Sequence, residues 1–201
     1  MADNYTVSLN GWDEAGFRKL APGGYVCRII NAYLNKSKNG NQTLYVEVDI
    51  AQGEFAGFFK TETDRFNKNQ DGSWTSNARL CIPTLIENKI HYRLKNFLVA
   101  VKDSNDDLKL EPKSGVFDIR QLYGKSIGCV FRGREAKAVD KNGKHYVNTI
   151  VDHALPVQDI LDGDFSVPDI EPYKEFDETH APKTDNDDFI GSPIDASDMP
   201  F

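Results

Sequence analysis

The feature that most constrains this chain is the alternation across residues 44–50. Leu44, Val46, Val48 and Ile50 are apolar, while Tyr45, Glu47 and Asp49 between them carry polar groups. A period of two places the first set on one face of a strand and the second on the other, so a sheet with one packed and one solvated face is expected. Upstream, Gly24 to Leu34 is rich in β-branched and aromatic residues and opens just after Pro22-Gly23, which predicts the first strand. Asn39-Gly40, within the turn Lys36 to Asn41, predicts a hairpin between the two, because both residues tolerate positive φ.

A third strand is expected over Gly57 to Thr63, followed by a turn at Asn69 to Gly72 and then Trp74. One helix follows: Ile86, Ile90, Leu94, Phe97, Leu98 and Val101 recur at spacings of three and four, with Thr84 and Glu87 as a capping box. After a polar loop at 103–115, strand pattern resumes over Ser126 to Arg132 and Tyr146 to Val151, separated by the turn Asp140 to Lys144. The predicted fold class is mainly β, in the order β-β-β-α-β-β. That is the order of a five-stranded OB-fold barrel with one helix between strands three and four, a fold that commonly binds single-stranded nucleic acid.

The charge is split along the chain. Residues 1–157 contain 22 bases against 18 acids, whereas residues 158–201 contain two bases, Lys174 and Lys183, against 13 acids. A body of net +4 beside a tail of −11 points to a polyanion-binding domain, residues 1–160, and an acidic tail, residues 161–201. The tail scatters Ile160, Phe165, Ile170, Phe176 and Phe189 without a period, so disorder is expected from roughly residue 165. It ends on Asp198-Met199-Pro200-Phe201. A ring, a stiffening proline and a carboxylate make a compact ligand for an apolar pocket rimmed by cations.

Neutralising phosphates needs cations at a groove's rim, and stacking bases needs flat side chains on its floor. The expected cations are Lys36 and Lys38 in the first hairpin, Lys60 on the third strand, Arg132 and Arg134 on the fourth, and Lys141 and Lys144 in the last turn. Floor candidates are Tyr45, Phe58 or Phe59, and Trp74. Strand alternation forbids both Phe58 and Phe59 from facing the core and leaves open which points outward. Tyr45 shares its face with Glu47 and Asp49, which would repel phosphate along that part of the strand.

Cys27, Cys81 and Cys129 are widely spaced in apolar surroundings and read as reduced core thiols. No metal-ligand spacing and no cofactor motif accompanies them, and His91, His145 and His153 read as incidental. Glu47 with Asp49, or Glu62 with Asp64, has the spacing of a strand-end metal pair, but no base, nucleophile or phosphate loop joins them, so no enzyme is expected. Without an 18-residue apolar run or a basic and apolar leader, neither a membrane partner nor export is expected.

The ending Asp-Met-Pro-Phe resembles the C-terminal tip of bacterial single-stranded-DNA-binding proteins, with Met199 where Ile is usual. The body is similar to small phage proteins of Gram-positive hosts at Leu20 to Tyr25, Lys36 to Asn41, Leu94 to Leu98 and Leu122 to Lys125, and departs from them by an insertion near residues 64–83. The resemblance implies a protein that coats single-stranded DNA during phage replication or recombination in the host cytoplasm. It also implies that Asp198, Met199, Pro200 and Phe201 dock replication or recombination proteins. Homo-oligomerisation stays open. The alternative is an interaction or host-takeover protein that binds no DNA and acts through its acidic tail.

Overall fold

The computed structural model describes residues 19–37, 41–60, 78–86, 89–110 and 116–174. Five antiparallel strands make the main sheet: β1 (Gly23–Lys36), β2 (Gln42–Ile50), β3 (Arg79–Pro83), β6 (Ser126–Val139) and β7 (His145–Leu155). Their order across the sheet is β3-β2-β1-β6-β7. A small hairpin, β4 (Leu85–Ile86) with β5 (Lys89–Ile90), and the helix α1 (Tyr92–Asp103) lie between β3 and β6 in the chain. A short helix, α2 (Val157–Asp162), follows β7. No hydrogen-bonded ladder joins β3 to β7 among the described residues, so the sheet is not closed there. Among the described residues no helix is long and apolar enough to cross a membrane.

The expected β1–β2 hairpin forms, with Tyr33 opposite Tyr45 and Lys36 opposite Gln42. A bulge between Ile29 and Asn31 changes the parity of β1. Before it, Cys27 and Ile29 are buried; after it, Ala32 is buried, and Asn31 and Tyr33 pair with Glu47 and Tyr45 on the opposite face. The core between sheet and helix contains Ile29, Leu44, Val46, Val48, Leu80, Phe97, Val101 and Phe131.

Three expectations need correction. The stretch from Gly57 is not a strand: residues 58–60 are helical, and the third strand is β3, some twenty residues later. Strand alternation therefore does not apply to Phe58 and Phe59. Phe59 is buried and stacks on Phe131 at 5.6 Å, and Phe58 packs edge-on against Phe59 at 5.2 Å beside the core. Phe59 is therefore packed inside the fold, with Phe58 partly buried against it.

The helix also starts later than its apolar spacing suggests. Thr84 is not a cap; its hydroxyl donates to the Gln42 carbonyl at 2.8 Å. Leu85 and Ile86 pair instead with Ile90 and Lys89 as β4 and β5, Ile90 is exposed, and His91 caps α1 by accepting the Arg93 N–H on Nδ1 at 3.0 Å. Phe97, Ala100 and Val101 then form the buried face.

The solvated face of β2 is the third correction, because Glu47 and Asp49 are both buried. Glu47 accepts from the Asn31 amide at 3.2 Å. Asp49 accepts the backbone N–H groups of Ile50, Phe59 and Lys60 at 2.8, 3.0 and 3.4 Å. It thereby pins the helical turn at 58–60 to the sheet. Cys27 and Cys129 are buried as expected, but Cys81 is exposed.

Candidate nucleic-acid interface

The β1 bulge brings two tyrosines together on the outer face of the sheet. Tyr33 and Tyr45 stack with centroids 5.3 Å apart and planes 20° from parallel. Arg79, opposite Glu47 on β3, donates from Nη1 to the Tyr33 hydroxyl at 2.8 Å. Its guanidinium carbon lies 5.3 Å from the Tyr45 ring centroid. Burial and the like charge of Glu47 and Tyr45 push the Tyr33 hydroxyl pKa up against the pull of Arg79, which keeps it a neutral phenol. Burial works against the charge on Arg79, but the Tyr33 hydrogen bond and nearby negative groups outweigh it and the pKa is raised. Its Nε has no acceptor among the described residues.

Arg79 and Cys81 form one wall of a groove of about 850 Å³ that follows the open seam between β3 and β7 and is backed by α1. Arg93 and Tyr92 enter it from the helix, and Arg132 and Arg134 from β6. Tyr45 is the register partner of Cys81, so the stacked tyrosines adjoin this wall directly. Four arginines, of which Arg79 lies over a ring face, combine charge with flat surface in one depression.

Part of that charge is already paired. Arg132 Nε is 2.9 Å from an Asp152 oxygen, an ion pair whose angle does not make a hydrogen bond. Glu171 receives Arg132 Nη2 at 2.8 Å and Arg134 Nε at 2.7 Å. The Arg134 hydrogen bond, with the charges of Arg134, Arg132 and Lys174, holds the Glu171 carboxyl below the usual range. Glu171 belongs to a strap, residues 164–174, that the tail's composition marks for disorder but that lies against the body. Glu135 N–H donates to the Glu171 carbonyl and Glu171 N–H to the Gly133 carbonyl, each at 2.9 Å, as a parallel bridge. Gly24 and Gly133 make room for it: a Cβ would lie 2.6 Å from the Phe165 ring at Gly24 and 3.1 Å from Ile170 at Gly133.

Of the expected cations, Arg132 and Arg134 are at the groove. Lys36 is at the exposed end of β1, Lys60 is exposed beside the Asp49 cradle, and Lys141 and Lys144 are exposed on the β6–β7 turn, none of them lining the groove. Asp140 organises that turn by accepting the N–H groups of Asn142 and Lys144 at 2.8 and 3.0 Å. Tyr45 is on the outer face as expected. Lys38, Trp74, the turn at Asn69 to Gly72, Glu62, Asp64 and the tip Asp198, Met199, Pro200 and Phe201 lie outside the described residues. Sequence reasoning missed Tyr33, Arg79, Tyr92 and Arg93. Tyr33 had only a partial signal: closing the hairpin symmetrically about Asn39-Gly40 sets it opposite Val46, one place from its observed partner Tyr45. Arg79 had none, because the strand that presents it lies within the segment read as an insertion.

No protein-family model and no curated protein matches this chain.

Proposed function

We propose that this chain is a phage-type single-stranded-DNA-binding protein that protects and presents DNA in replication or recombination within the bacterial host. The observation behind this reading is the Arg79 guanidinium bonded to Tyr33 and lying over Tyr45, at the wall of a groove that also holds Arg93, Arg132 and Arg134. Arginines neutralise phosphates, and exposed ring faces stack bases without reading sequence. Duplex DNA hides its base faces, so this pairing of groups favours single strands.

The strand order, with α1 between β3 and β6, supports an OB-like barrel in which β3 and β7 are the pair left apart by the groove. The protein acts by binding, not catalysis, and the tip Asp198 to Phe201 recruits replication or recombination proteins. A fluorescence titration of the full chain with single-stranded and duplex DNA at several salt concentrations tests the reading. Preference for single strands, with affinity falling steeply as salt rises, is expected. Equal affinity for both, or none for either, would overturn it.

A further inference from the structure

Tyr92 is 63 % exposed, yet it is not a loose side chain. Its ring stacks on His91 at 4.6 Å and 28°, and its hydroxyl accepts from Arg93 Nε at 3.4 Å. His91 is itself fixed, because its Nδ1 is engaged by the Arg93 N–H. The pair is therefore a held two-ring stack, and Tyr92 lines the same groove as Arg79 and Arg134. The preceding hairpin adds exposed apolar surface: Leu85 and Ile90, opposite each other in register, are 43 % and 69 % exposed. An ordinary exposed tyrosine at a helix start needs neither a backing ring nor an apolar shoulder.

We propose that Tyr92, backed by His91, is a second nucleobase platform on the far side of the groove from Tyr33 and Tyr45. A single strand then crosses the β3–β7 seam, one base on each tyrosine platform and its phosphates on Arg79 and Arg93 between them. This rests on the DNA-binding reading above, and it fixes the route. The strand runs across the seam toward α1, away from the lysines of the β1–β2 and β6–β7 turns. Preorganised rings lose little side-chain entropy on stacking, which is why a held tyrosine is a better platform than a free one.

The test compares full-length wild type, Tyr92→Phe and Tyr92→Leu binding an oligothymidylate of about 15 nucleotides, near the upper site size of such folds. Tyr92→Phe should bind like wild type, while Tyr92→Leu, which keeps apolar bulk but no ring, should lose about tenfold in affinity with its salt slope unchanged. Photocrosslinking of the wild type to a strand substituted with 5-iododeoxyuridine should label Tyr92. Because the side chain is exposed, melting temperatures of the three proteins should agree. If wild type binds no single strand, the function above fails and this inference with it. If wild type binds and Tyr92→Leu matches it, or crosslinks map only to the two lysine turns, the function survives and this route is wrong.

Discussion

At the scale of single residues, Asp49 and Arg79 carry the two halves of the argument, fold and site. Asp49 is a carboxylate placed where three backbone N–H groups converge. Asp49→Ala leaves buried donors without an acceptor and should cost about 1–3 kcal/mol for each one that water does not reach. Asp49→Asn retains an oxygen for Ile50 and Phe59 and should cost less. Burial raises the Asp49 pKa against the pull of those amides. A raised carboxyl gives its full stabilisation below the unfolded value of about 3.9 and loses it as pH rises through the folded value. The stability advantage of wild type over Asp49→Asn should therefore shrink as pH rises above the unfolded value of about 3.9, read by urea unfolding. A gap that widens with pH would mean that the amides outweigh desolvation. Arg79 offers the companion test. A lysine there is a point charge that neither reaches Tyr33 in the same plane nor lies flat near Tyr45, so Arg79→Lys should weaken single-strand binding by about tenfold despite the conserved charge. Unchanged affinity would reduce Arg79 to one phosphate contact among several.

At the scale of elements, what was legible follows from how local each signal is. β1, β2, β6 and β7 announce themselves because period-two patterns flanked by Asn-Gly and Asn142-Gly143 turns are complete within a dozen residues. β3 is five residues, with Pro83 at its end and Cys81 exposed, and only pairing with β2 makes it a strand. Phe58 and Phe59 look like strand because they are aromatic, but the Phe58 N–H donates to the Phe55 carbonyl and the Asp49 carboxylate captures the Phe59 and Lys60 N–H groups, which makes a helical turn. The strap escaped notice for a related reason. Its contacts are single residues, Phe165, Ile170 and Glu171, each fitted to a distant glycine or arginine, and no period records them. Glu171 occupies two groove arginines as a phosphate would, so Glu171→Gln should tighten single-strand binding and steepen its salt dependence, since Arg134 is freed and Arg132 keeps only its Asp152 pair. The pH sense follows from the lowered Glu171 carboxyl: its contribution to holding the strap is complete above the unfolded value of about 4.3 and is lost as pH falls through the folded one. Exchange protection of the Glu135 and Glu171 amides should fall over that window in wild type but not in Glu171→Gln. Unchanged DNA affinity in the variant would show that the strap leaves the phosphate path clear.

At the scale of the molecule, the two parts of the acidic region should act differently. Residues 158–174 hold five acids and one lysine, a net −4 that offsets the +4 of residues 1–157, and the strap part of it is fixed on the body. Residues 175–201 hold eight acids and one lysine, a net −7 equal to the charge of the whole chain. The split was legible as composition, but the seating of residues 164–174 on the body was not, because the same Asp, Glu and Pro content runs through the whole region. A fixed contact at 2.7–2.8 Å is little screened by salt, whereas attraction between a remote acidic segment and a basic groove fades once the Debye length, about 30 Å at 0.01 M and about 8 Å at 0.15 M, falls below their separation. Deleting 175–201 should therefore tighten DNA binding at low salt and hardly at all at 0.15 M. Deleting 164–201 should tighten it at both, by uncovering Arg132 and Arg134, and should also lower the melting temperature as the contacts of Phe165 and Ile170 are lost. Phe201→Ala, which leaves every charge in place, should reproduce neither effect on DNA and should abolish capture of replication proteins from a host lysate. Affinities for one oligothymidylate at the two ionic strengths, measured on all three variants, separate these outcomes. If the 175–201 deletion binds like wild type at 0.01 M, the remote segment does not compete for the groove, and the strap alone sets how much of its charge is open to DNA.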